Sequence, residues 1–208
     1  MEDKLNIKIA KLLLEINAIK LQPNNPFIWS SGIKSPIYCD NRILLSFPSH
    51  RNLVAKEIAN LISQKYKSVE TIAGVATGAI GIGLLVAEKL KLPFIYVRPE
   101  SKGHGRKNQI EGIIEKNKKV FVVEDLISTA NSSIKAIQAL KKAGMRVLGM
   151  SSIFTYELKI ATDNLKSESI DFFSLSNYST LIKVAKELNY INDDEIKILA
   201  DWNTPTKI

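Results

Sequence analysis

The chain has 208 residues, of which 45% are hydrophobic, and can bury one good core or at most two small ones, so we predict a single domain. Its only cysteine, Cys39, excludes an intramolecular disulfide, and one cysteine with two histidines is too few for a tetrahedral zinc site built from those residue types alone. The formal net charge of +8 leaves two classes of ligand open, nucleic acids and polyanionic small substrates, because both reward clustered Lys and Arg.

The chain opens with an amphipathic helix, predicted over residues 3–20 because apolar residues recur there at spacings of three and four. Acids and lysines interrupt its apolar positions, unlike in a signal peptide, and no stretch of about 18 apolar residues occurs in the sequence. Together with the single cysteine, these features predict a protein of the reducing cytoplasm without membrane association.

Two short strands around a turn at Ser31-Gly32 are predicted within residues 27–41, which mix β-formers with Ser, Gly and Pro. After a predicted helix at 48–65, short apolar runs alternate with helices or long loops. The predicted strands lie at 71–75, 93–97, 119–124 and 145–154, and the predicted helices at 79–90 and 132–143. Residues 156–208 add a helix, a last strand at 170–175 and two further short helices.

Apolar runs separated in this way are typical of a parallel sheet that is covered on both faces. The predicted fold class is therefore α/β, with a mainly parallel central sheet flanked by helices. In an open sheet of this kind ligands bind at the carboxyl ends of the strands, so the segments that follow the strands are the candidate site.

The stretch VFVVEDLISTANSS, residues 120–133, carries the most specific signal. Hydroxyl and amide side chains crowd the start of a helix, where several backbone N–H groups lack partners and can bind a phosphate. Glu124 and Asp125, just before them, are suited to accept hydrogen bonds from two adjacent hydroxyls, as on a ribose. The alternative is an ordinary helix cap with two solvated acids. The complete string favours a site for a ribose phosphate.

A second segment, GVATGAIGIG at residues 74–83, joins a strand to a helix through small residues. Small side chains let the backbone approach a pyrophosphate closely, although tight packing of the helix on the strand explains them equally well. The acid that a dinucleotide site would place about 20 residues further on is missing.

A third segment, RPESKGHGRKNQIEG at residues 98–112, follows another strand and has no apolar anchor. We expect it to be a mobile lid over an anionic reactant, and the alternative is a solvated charged loop. Its cationic and imidazole side chains are Arg98, Lys102, His104, Arg106 and Lys107.

Together these segments resemble the type I phosphoribosyltransferases, in which the acidic string binds 5-phosphoribosyl-1-pyrophosphate (PRPP). Within that superfamily, FIWSSGIKSPIYCDNR (27–42) and RPESKGHGRKNQIEG are similar to signatures of the orotate phosphoribosyltransferases, and SSIFTYEL (151–158) is similar to that of their shorter branch. The resemblance runs from residue 27 to residue 156. It implies a type I phosphoribosyltransferase fold with a core over about residues 48–176, and a small hood with the base-pocket segment over about residues 1–47.

The resemblance implies transfer of the ribose 5-phosphate group from PRPP to orotate, which gives orotidine 5′-monophosphate and pyrophosphate in de novo pyrimidine (UMP) biosynthesis. It also implies Mg²⁺, held mainly by PRPP and water rather than by a set of protein ligands. The implied partners are the two substrates and a second copy of the chain, in a homodimer with shared active sites.

The resemblance assigns roles to individual residues. Lys102, His104 and Asp125 would be catalytic, and Ser128, Tyr38 and Cys39 would contact orotate. The residues that would bind PRPP are Arg98, Lys102, His104, Glu124, Asp125, Leu126, Ile127, Ser128, Thr129, Ala130, Asn131 and Ser132.

Several positions depart from the family pattern. Some members carry Lys where this chain has Ser30, Gly78 and Pro99, and Arg42, Arg106 or Lys107 are candidates to compensate. No Arg follows Arg146 to hold the orotate carboxylate. Ala130-Asn131 stands where two glycines are common, and because Asn tolerates left-handed backbone, we expect Asn131 to preserve the turn.

Two other functions stay open at this point. One is another PRPP-dependent nucleobase phosphoribosyltransferase, against which the signature at residues 27–42 argues. The other is a PRPP-sensing regulator that binds nucleic acid, which the net charge would suit. Because no helix-turn-helix pattern precedes residue 27, we expect no nucleic-acid partner.

Overall fold

The computed structural model describes residues 2–29, 32, 34–99 and 109–202. Within these ranges the helices are α1 (Glu2–Glu15), α2 (Pro48–Lys65), α3 (Ala79–Leu90), α4 (Asn131–Lys142), α5 (Lys159–Ser167), α6 (Tyr178–Glu187) and α7 (Asp193–Trp202), with a 3-10 helix at Asn41–Ser46. The strands are β1 (Ile19–Leu21), β2 (Phe27–Ile28), β3 (Lys34–Ser35), β4 (Ile37–Cys39), β5 (Thr71–Val75), β6 (Phe94–Val97), β7 (Ile110–Glu111), β8 (Lys119–Ile127), β9 (Arg146–Thr155) and β10 (Phe172–Asn177).

A six-stranded sheet with the order β10-β9-β8-β5-β6-β7 forms the centre of the molecule. Its first five strands are parallel, and β7 is an antiparallel edge strand beside β6. Parallel neighbours need long crossover connections, which the helices provide. The predicted α/β class and mainly parallel sheet are therefore confirmed.

Alternate residues of β8 face two separate cores, one on each side of the sheet. Phe121 and Val123 belong to a core with apolar residues of α1, α2, α3, α6 and α7. Val120 and Val122 belong to the other, with residues of α4 and α5 such as Ile137. Because successive side chains of a strand point to opposite faces, a run of apolar residues in β8 is needed to fill both cores.

The hood consists of short strand pairs in front of the central sheet. β1 pairs with β4, and β2 pairs with β3, both antiparallel. Between β2 and β3 the backbone of Gly32 has a φ of +83°, a left-handed conformation that glycine adopts without a steric penalty. The two short strands predicted around this turn are thus confirmed, whereas the pairing of β4 with β1 was not foreseen.

An aromatic cluster attaches the hood to the rest of the chain. The ring of Trp29, after β2, lies 5.0 Å from that of Tyr156, and Trp202 of α7 meets both rings edge-on. Trp202 also donates a 3.2 Å hydrogen bond from Nε1 to the backbone carbonyl of Lys34 in β3. The C-terminal helix therefore holds the hood hairpin in place.

The structure corrects two element predictions. The opening helix was predicted to continue to residue 20, but Asn17 takes a left-handed conformation with φ of +56°, which ends a helix, and β1 follows. The segment 98–112 was predicted to lack an apolar anchor, but Ile110 is buried and pairs with Val97 in the sheet. No helix within the described ranges combines the length and apolarity needed to cross a bilayer.

Candidate active site

The acidic pair lies at the carboxyl end of β8, in the middle of the sheet. β5 pairs with β8 only as far as Gly74 and Val123, whereas β9 accompanies β8 to its end at Ile127. Glu124 and Asp125 thus stand where one neighbouring strand has stopped. This is the place where an open parallel sheet leaves room for a ligand.

Glu124 is almost completely buried, with 5% of its surface exposed. Its Oε2 accepts a 2.9 Å hydrogen bond from the hydroxyl of Ser133, and its Oε1 accepts a 3.1 Å bond from the backbone N–H of Asp125. Burial, and then the adjacent charge of Asp125, raise the pKa of Glu124 well above its usual value. The ligand-free site therefore favours a proton on Glu124.

Asp125 lies against the loop that joins β5 to α3. A β-carbon built on Gly78 would overlap the Asp125 carboxylate, so only glycine fits at this position without displacement. The pKa of Asp125 is raised, because the effect of burial exceeds that of the hydrogen bonds from Glu124 and from the backbone, which lower the pKa. Two carboxyl groups thus share a poorly solvated space, which disfavours two negative charges there at once.

The loop from Ser128 to Ala130 leads from β8 into α4. The first N–H groups of α4 have no acceptor within the helix, and the positive end of its dipole points to the same place. Asn164 of α5 supports the loop, because its Nδ2 donates a 2.8 Å bond to the carbonyl of Thr129 and lies 3.2 Å from Oδ1 of Asn131. The arrangement is suited to binding a phosphate.

The left-handed residue of this loop is Ala130, with φ of +65° and ψ of 5°. The expectation that Asn131 would take this conformation is wrong, since Asn131 is the first residue of α4. Its side chain contacts Asn164 instead. An alanine in the left-handed region costs about 1–2 kcal/mol, so the loop holds a strained backbone just before α4.

A cavity of about 340 Å³ joins these features, within the size range of small-molecule sites. It lies between the end of β8, the loop before α3, the start of α4 and the hood. The residues that line it are Cys39, Asp40, Arg42, Val75, Ala76, Thr77, Gly78, Glu124, Asp125, Leu126, Ser128, Thr129, Ala130, Asn131, Ser132 and Ser133.

The hood forms one wall of the cavity through Cys39, Asp40 and Arg42. The guanidinium of Arg42 binds the Asp40 carboxylate through two bonds of 2.6 and 2.9 Å, which lower the pKa of Asp40. The side chain of Arg42 is nevertheless 61% exposed. Burial, followed by the charges of Asp125 and Asp40, raises the pKa of the Cys39 thiol, so this cysteine is a poor nucleophile.

The structure brings most of the sequence-predicted site residues together around this cavity. Three of them do not line it. The side chain of Tyr38 is partly exposed against the ring of Phe27, Ile127 is buried in the core under α4, and Arg98 pairs with Glu111 at 3.5 Å. Lys102 and His104, with Arg106 and Lys107, lie outside the described residues.

The cavity also contains side chains that were not predicted as site residues. Asp40 and Arg42 lie inside the signature at residues 27–42 but were given no role in it, except that Arg42 was named as a candidate to compensate for missing lysines. Ser133 directly follows the predicted loop. Gly78 belongs to the small-residue segment 74–83 and was noted as a departure from the family pattern, but its contact with Asp125 has no local sequence signal.

The acids outnumber the bases on the described walls of the cavity. Asp40, Glu124 and Asp125 face a single cation, Arg42, among the described lining residues. No cluster of three or more His, Cys, Asp or Glu side chains within the described ranges is arranged to hold a metal ion. Carboxylates beside a phosphate site are the kind of oxygen ligand that Mg²⁺ uses together with substrate phosphates and water.

Comparison with known proteins shows the family of the chain. The model of the phosphoribosyl transferase domain family matches residues 49–172. The chain is 52% identical over 194 residues to an orotate phosphoribosyltransferase of Staphylococcus saprophyticus subsp. saprophyticus, which covers 93% of this chain and 96% of that protein. It is 50% identical over 195 residues to an orotate phosphoribosyltransferase of Cytophaga hutchinsonii, with coverage of 94% and 93%.

Solved structures show the same relationship. The crystal structure of an orotate phosphoribosyltransferase from Aeropyrum pernix superposes with a TM-score of 0.76 at 29% identity, covering 88% of this chain and 99% of that one. A UMP synthase structure from Leishmania donovani gives a TM-score of 0.80 at 27% identity, covering 95% of this chain but 42% of that one. The chain belongs to the orotate phosphoribosyltransferase family, with the type I phosphoribosyltransferase fold.

Proposed function

We propose that the protein transfers the ribose 5-phosphate group of PRPP to orotate, giving orotidine 5′-monophosphate and pyrophosphate, as a step of de novo pyrimidine biosynthesis. The observation that carries this proposal is the single cavity in which two carboxyl groups lie beside a phosphate-binding loop and under a wall of the hood. A ribose phosphate and a base need these three surfaces at once.

The ribose side of the cavity is assigned to the end of β8. Glu124 and Asp125 accept hydrogen bonds from the two ribose hydroxyls. These bonds compensate for the limited access of water to the two carboxyl groups. The segment Leu126 to Ser132 binds the 5′-phosphate through backbone N–H groups and hydroxyls, and the geometry of the α4 start supports this. Ile127 contributes backbone rather than side chain, since its side chain is buried.

The base side is assigned to the hood. Cys39 lines the cavity, and Tyr38 precedes it in β4, so the backbone of this strand is positioned to contact the orotate ring. Ser128 faces the same space from the opposite wall. No Arg follows Arg146, so we assign the orotate carboxylate to backbone N–H groups and the hydroxyl of Ser128.

During the transfer, the bond between the anomeric carbon and pyrophosphate breaks, and a bond from that carbon to a ring nitrogen of orotate forms. The proton that this nitrogen loses is accepted by the released pyrophosphate. Negative charge builds on the leaving pyrophosphate, so cationic groups around it stabilise the transition state. Mg²⁺, held mainly by PRPP and water, supplies part of this charge when bound. Lys102 and His104, with Arg98, are proposed to supply the rest, and Arg42 is the cation that the described cavity wall adds.

We further propose that the active protein is a homodimer, with the lid of one subunit closing over the site of the other. The exposed apolar side chains of Phe47 and Leu84 are candidates for the contact with the second subunit. We propose a cytoplasmic location, supported by the unpaired Cys39. Residues 1–208 are proposed to form one domain, because the hood packs on the core through Trp29 and Trp202.

The test is a direct assay of the purified protein with PRPP, Mg²⁺ and orotate, in which orotate absorbance falls as product forms. Parallel reactions contain hypoxanthine or uracil in place of orotate. Turnover of either of these without turnover of orotate would overturn the substrate assignment. Binding of PRPP without turnover of any base would favour a regulator. Asp125→Asn serves as the site control and should weaken PRPP binding and turnover.

A further inference from the structure

Asn41 is a buried polar residue to which none of the roles above applies. It begins the 3-10 helix of the hood and is 2% exposed. Its Nδ2 donates a 2.7 Å hydrogen bond to the backbone carbonyl of Asp125, 84 positions further along the chain. This bond joins the hood directly to the strand that carries the acidic pair.

The position of Asp125 in the sheet explains why its carbonyl takes a donor from a side chain. The pairing of β5 with β8 ends at Gly74 and Val123, so beyond this point β8 keeps β9 as its strand neighbour within the described sheet. A carbonyl left without a donor in a buried place costs free energy. The amide of Asn41 supplies the donor where β5 no longer runs.

The carbonyl oxygen of the same amide indicates that the need to fill space does not explain an asparagine at position 41. Its Oδ1 is buried and has no hydrogen-bond partner among the described residues. An unpaired buried acceptor destabilises a fold, so a small apolar residue would be better tolerated here if only space had to be filled. Turning the amide over would place Oδ1 against the Asp125 carbonyl oxygen, and two acceptors repel.

We propose that Asn41 is a positioning residue for the transfer reaction. Through the carbonyl of Asp125, it sets the spacing between the base side of the cavity, at Cys39 and Arg42, and the ribose side, at Glu124 and Asp125. This inference rests on the proposed function, in which these two sides hold the two reacting groups. Displacement by about 1 Å of groups that must meet for reaction can reduce the rate by about 10²-fold while binding is retained.

The first test is Asn41→Ala in the full chain. We expect kcat at saturating PRPP and orotate to fall by about 10²-fold, while the Kd of PRPP with Mg²⁺, measured by calorimetry without orotate, changes by less than about threefold. The matched control is Asn177→Ala, which removes the side-chain cap of α6, where Oδ1 of Asn177 accepts from the N–H of Thr180. The control should lower the midpoint of thermal unfolding without changing kcat.

The second test is Asn41→Asp, which keeps the shape and replaces the donor with a carboxyl group. That group can donate to the Asp125 carbonyl only when protonated. The titratable and charged side chains on the adjoining cavity wall are Cys39, Asp40, Arg42, Glu124 and Asp125. Dividing the variant by the wild type removes the pH dependence that the two proteins have in common. We expect the ratio of kcat values to rise as pH falls from roughly 8 to roughly 6, because burial among acids favours the protonated form.

The outcomes separate the inference from the function on which it rests. If the wild-type protein does not convert PRPP and orotate, the proposed function and the positioning role of Asn41 are both overturned. If the wild type turns over and Asn41→Ala keeps kcat within about threefold, the inference alone is overturned. If Asn41→Ala does not fold, the Asn41→Asp variant decides. A ratio of variant to wild-type kcat that does not change with pH overturns the positioning role, and a ratio that rises as pH falls supports it.

Discussion

The carboxylate of Asp125 occupies the space that a β-carbon on Gly78 would need, so a larger residue at position 78 would displace this carboxylate. They belong to different loops at the same edge of the sheet. The backbone of Gly78 is right-handed, with φ of −62° and ψ of −37°, a conformation open to any residue. Glycine is favoured here by the position of the neighbouring side chain and not by the backbone conformation.

Gly78→Ala should therefore damage the site without straining the loop. The new β-carbon displaces the Asp125 carboxylate, and we expect kcat/KM for PRPP to fall by about 10²-fold. The matched control is Gly81→Ala in α3, where the added β-carbon would lie 2.9 Å from Cδ2 of Leu45, the flexible end of a side chain. Steady-state kinetics of both variants check this, and wild-type kcat/KM in Gly78→Ala would contradict the contact.

Ala130→Gly should stabilise the protein, because Ala130 is held in the left-handed region. Relief of about 1–2 kcal/mol of strain outweighs the added freedom of glycine in the unfolded chain, which leaves a net gain of up to about 1 kcal/mol. Denaturant unfolding measures the difference. The neighbouring variant Asn131→Gly is the control and should destabilise, since Asn131 is already helical. A reversed order would place the left-handed residue at Asn131.

Glu124→Gln should make the ligand-free protein less sensitive to pH. The pKa of Glu124 is raised above its usual 4.5, so the folded state keeps a proton that the unfolded chain has released. The free energy of unfolding therefore falls as pH rises from about 4.5 through the folded-state pKa, and the amide removes this loss. Urea unfolding midpoints at mildly acidic and mildly alkaline pH measure how strongly the stability of the wild type and of Glu124→Gln depends on pH.

Glu124→Gln should also reduce catalytic efficiency. A neutral amide binds the ribose hydroxyls less strongly than a carboxylate, so kcat/KM for PRPP should fall by about tenfold to a hundredfold. Glu168→Gln is the control: it removes a partly exposed carboxyl group that is paired with Lys141, and turnover should not change. A Glu124→Gln variant that is less stable than wild type at alkaline pH would show that the buried carboxyl is not destabilising when charged.

Trp202→Ala should loosen the hood while sparing the ribose side of the cavity. The variant loses ring contacts with Trp29, Tyr156 and Tyr178 and the bond to the Lys34 carbonyl. For a partly exposed Trp we expect a loss of about 2 kcal/mol in stability. KM for orotate should rise severalfold with KM for PRPP unchanged. Trp202→Phe, which keeps a ring, should be intermediate, and an equal rise in both KM values would indicate general loosening.

The predicted element order and the acidic string both agree with the structure for a local reason. Apolar spacing within a few residues decides which face of a helix or strand is buried, so α2, β5 and α3 could be placed from the sequence with their observed bounds. The unbroken apolar run of β8 likewise indicated a strand that is covered on both faces. The acids and hydroxyls that follow it are contiguous, so their meeting at one site needed no knowledge of distant contacts.

The misassigned parts depend on residues that are far apart in the chain or on backbone conformation. β4 was not separated from the hairpin before it because its partner β1 lies some twenty residues upstream. Ala130, rather than Asn131, became left-handed in a loop that Asn164 of α5 holds from outside. Local sequence patterns do not predict such contacts, because these contacts form only after whole elements have packed together.

Periodicity and contiguous motifs in the chain were sufficient for the α/β class and the family, and they pointed to the candidate site at the end of β8. Tertiary packing alone decided that Gly78 lies under Asp125, that Asn41 supports its carbonyl, and that Trp202 secures the hood. The physical reason is the range of the forces involved. Burial preferences act residue by residue along the chain, whereas steric fit and hydrogen-bond pairing act between surfaces that the fold must first bring together.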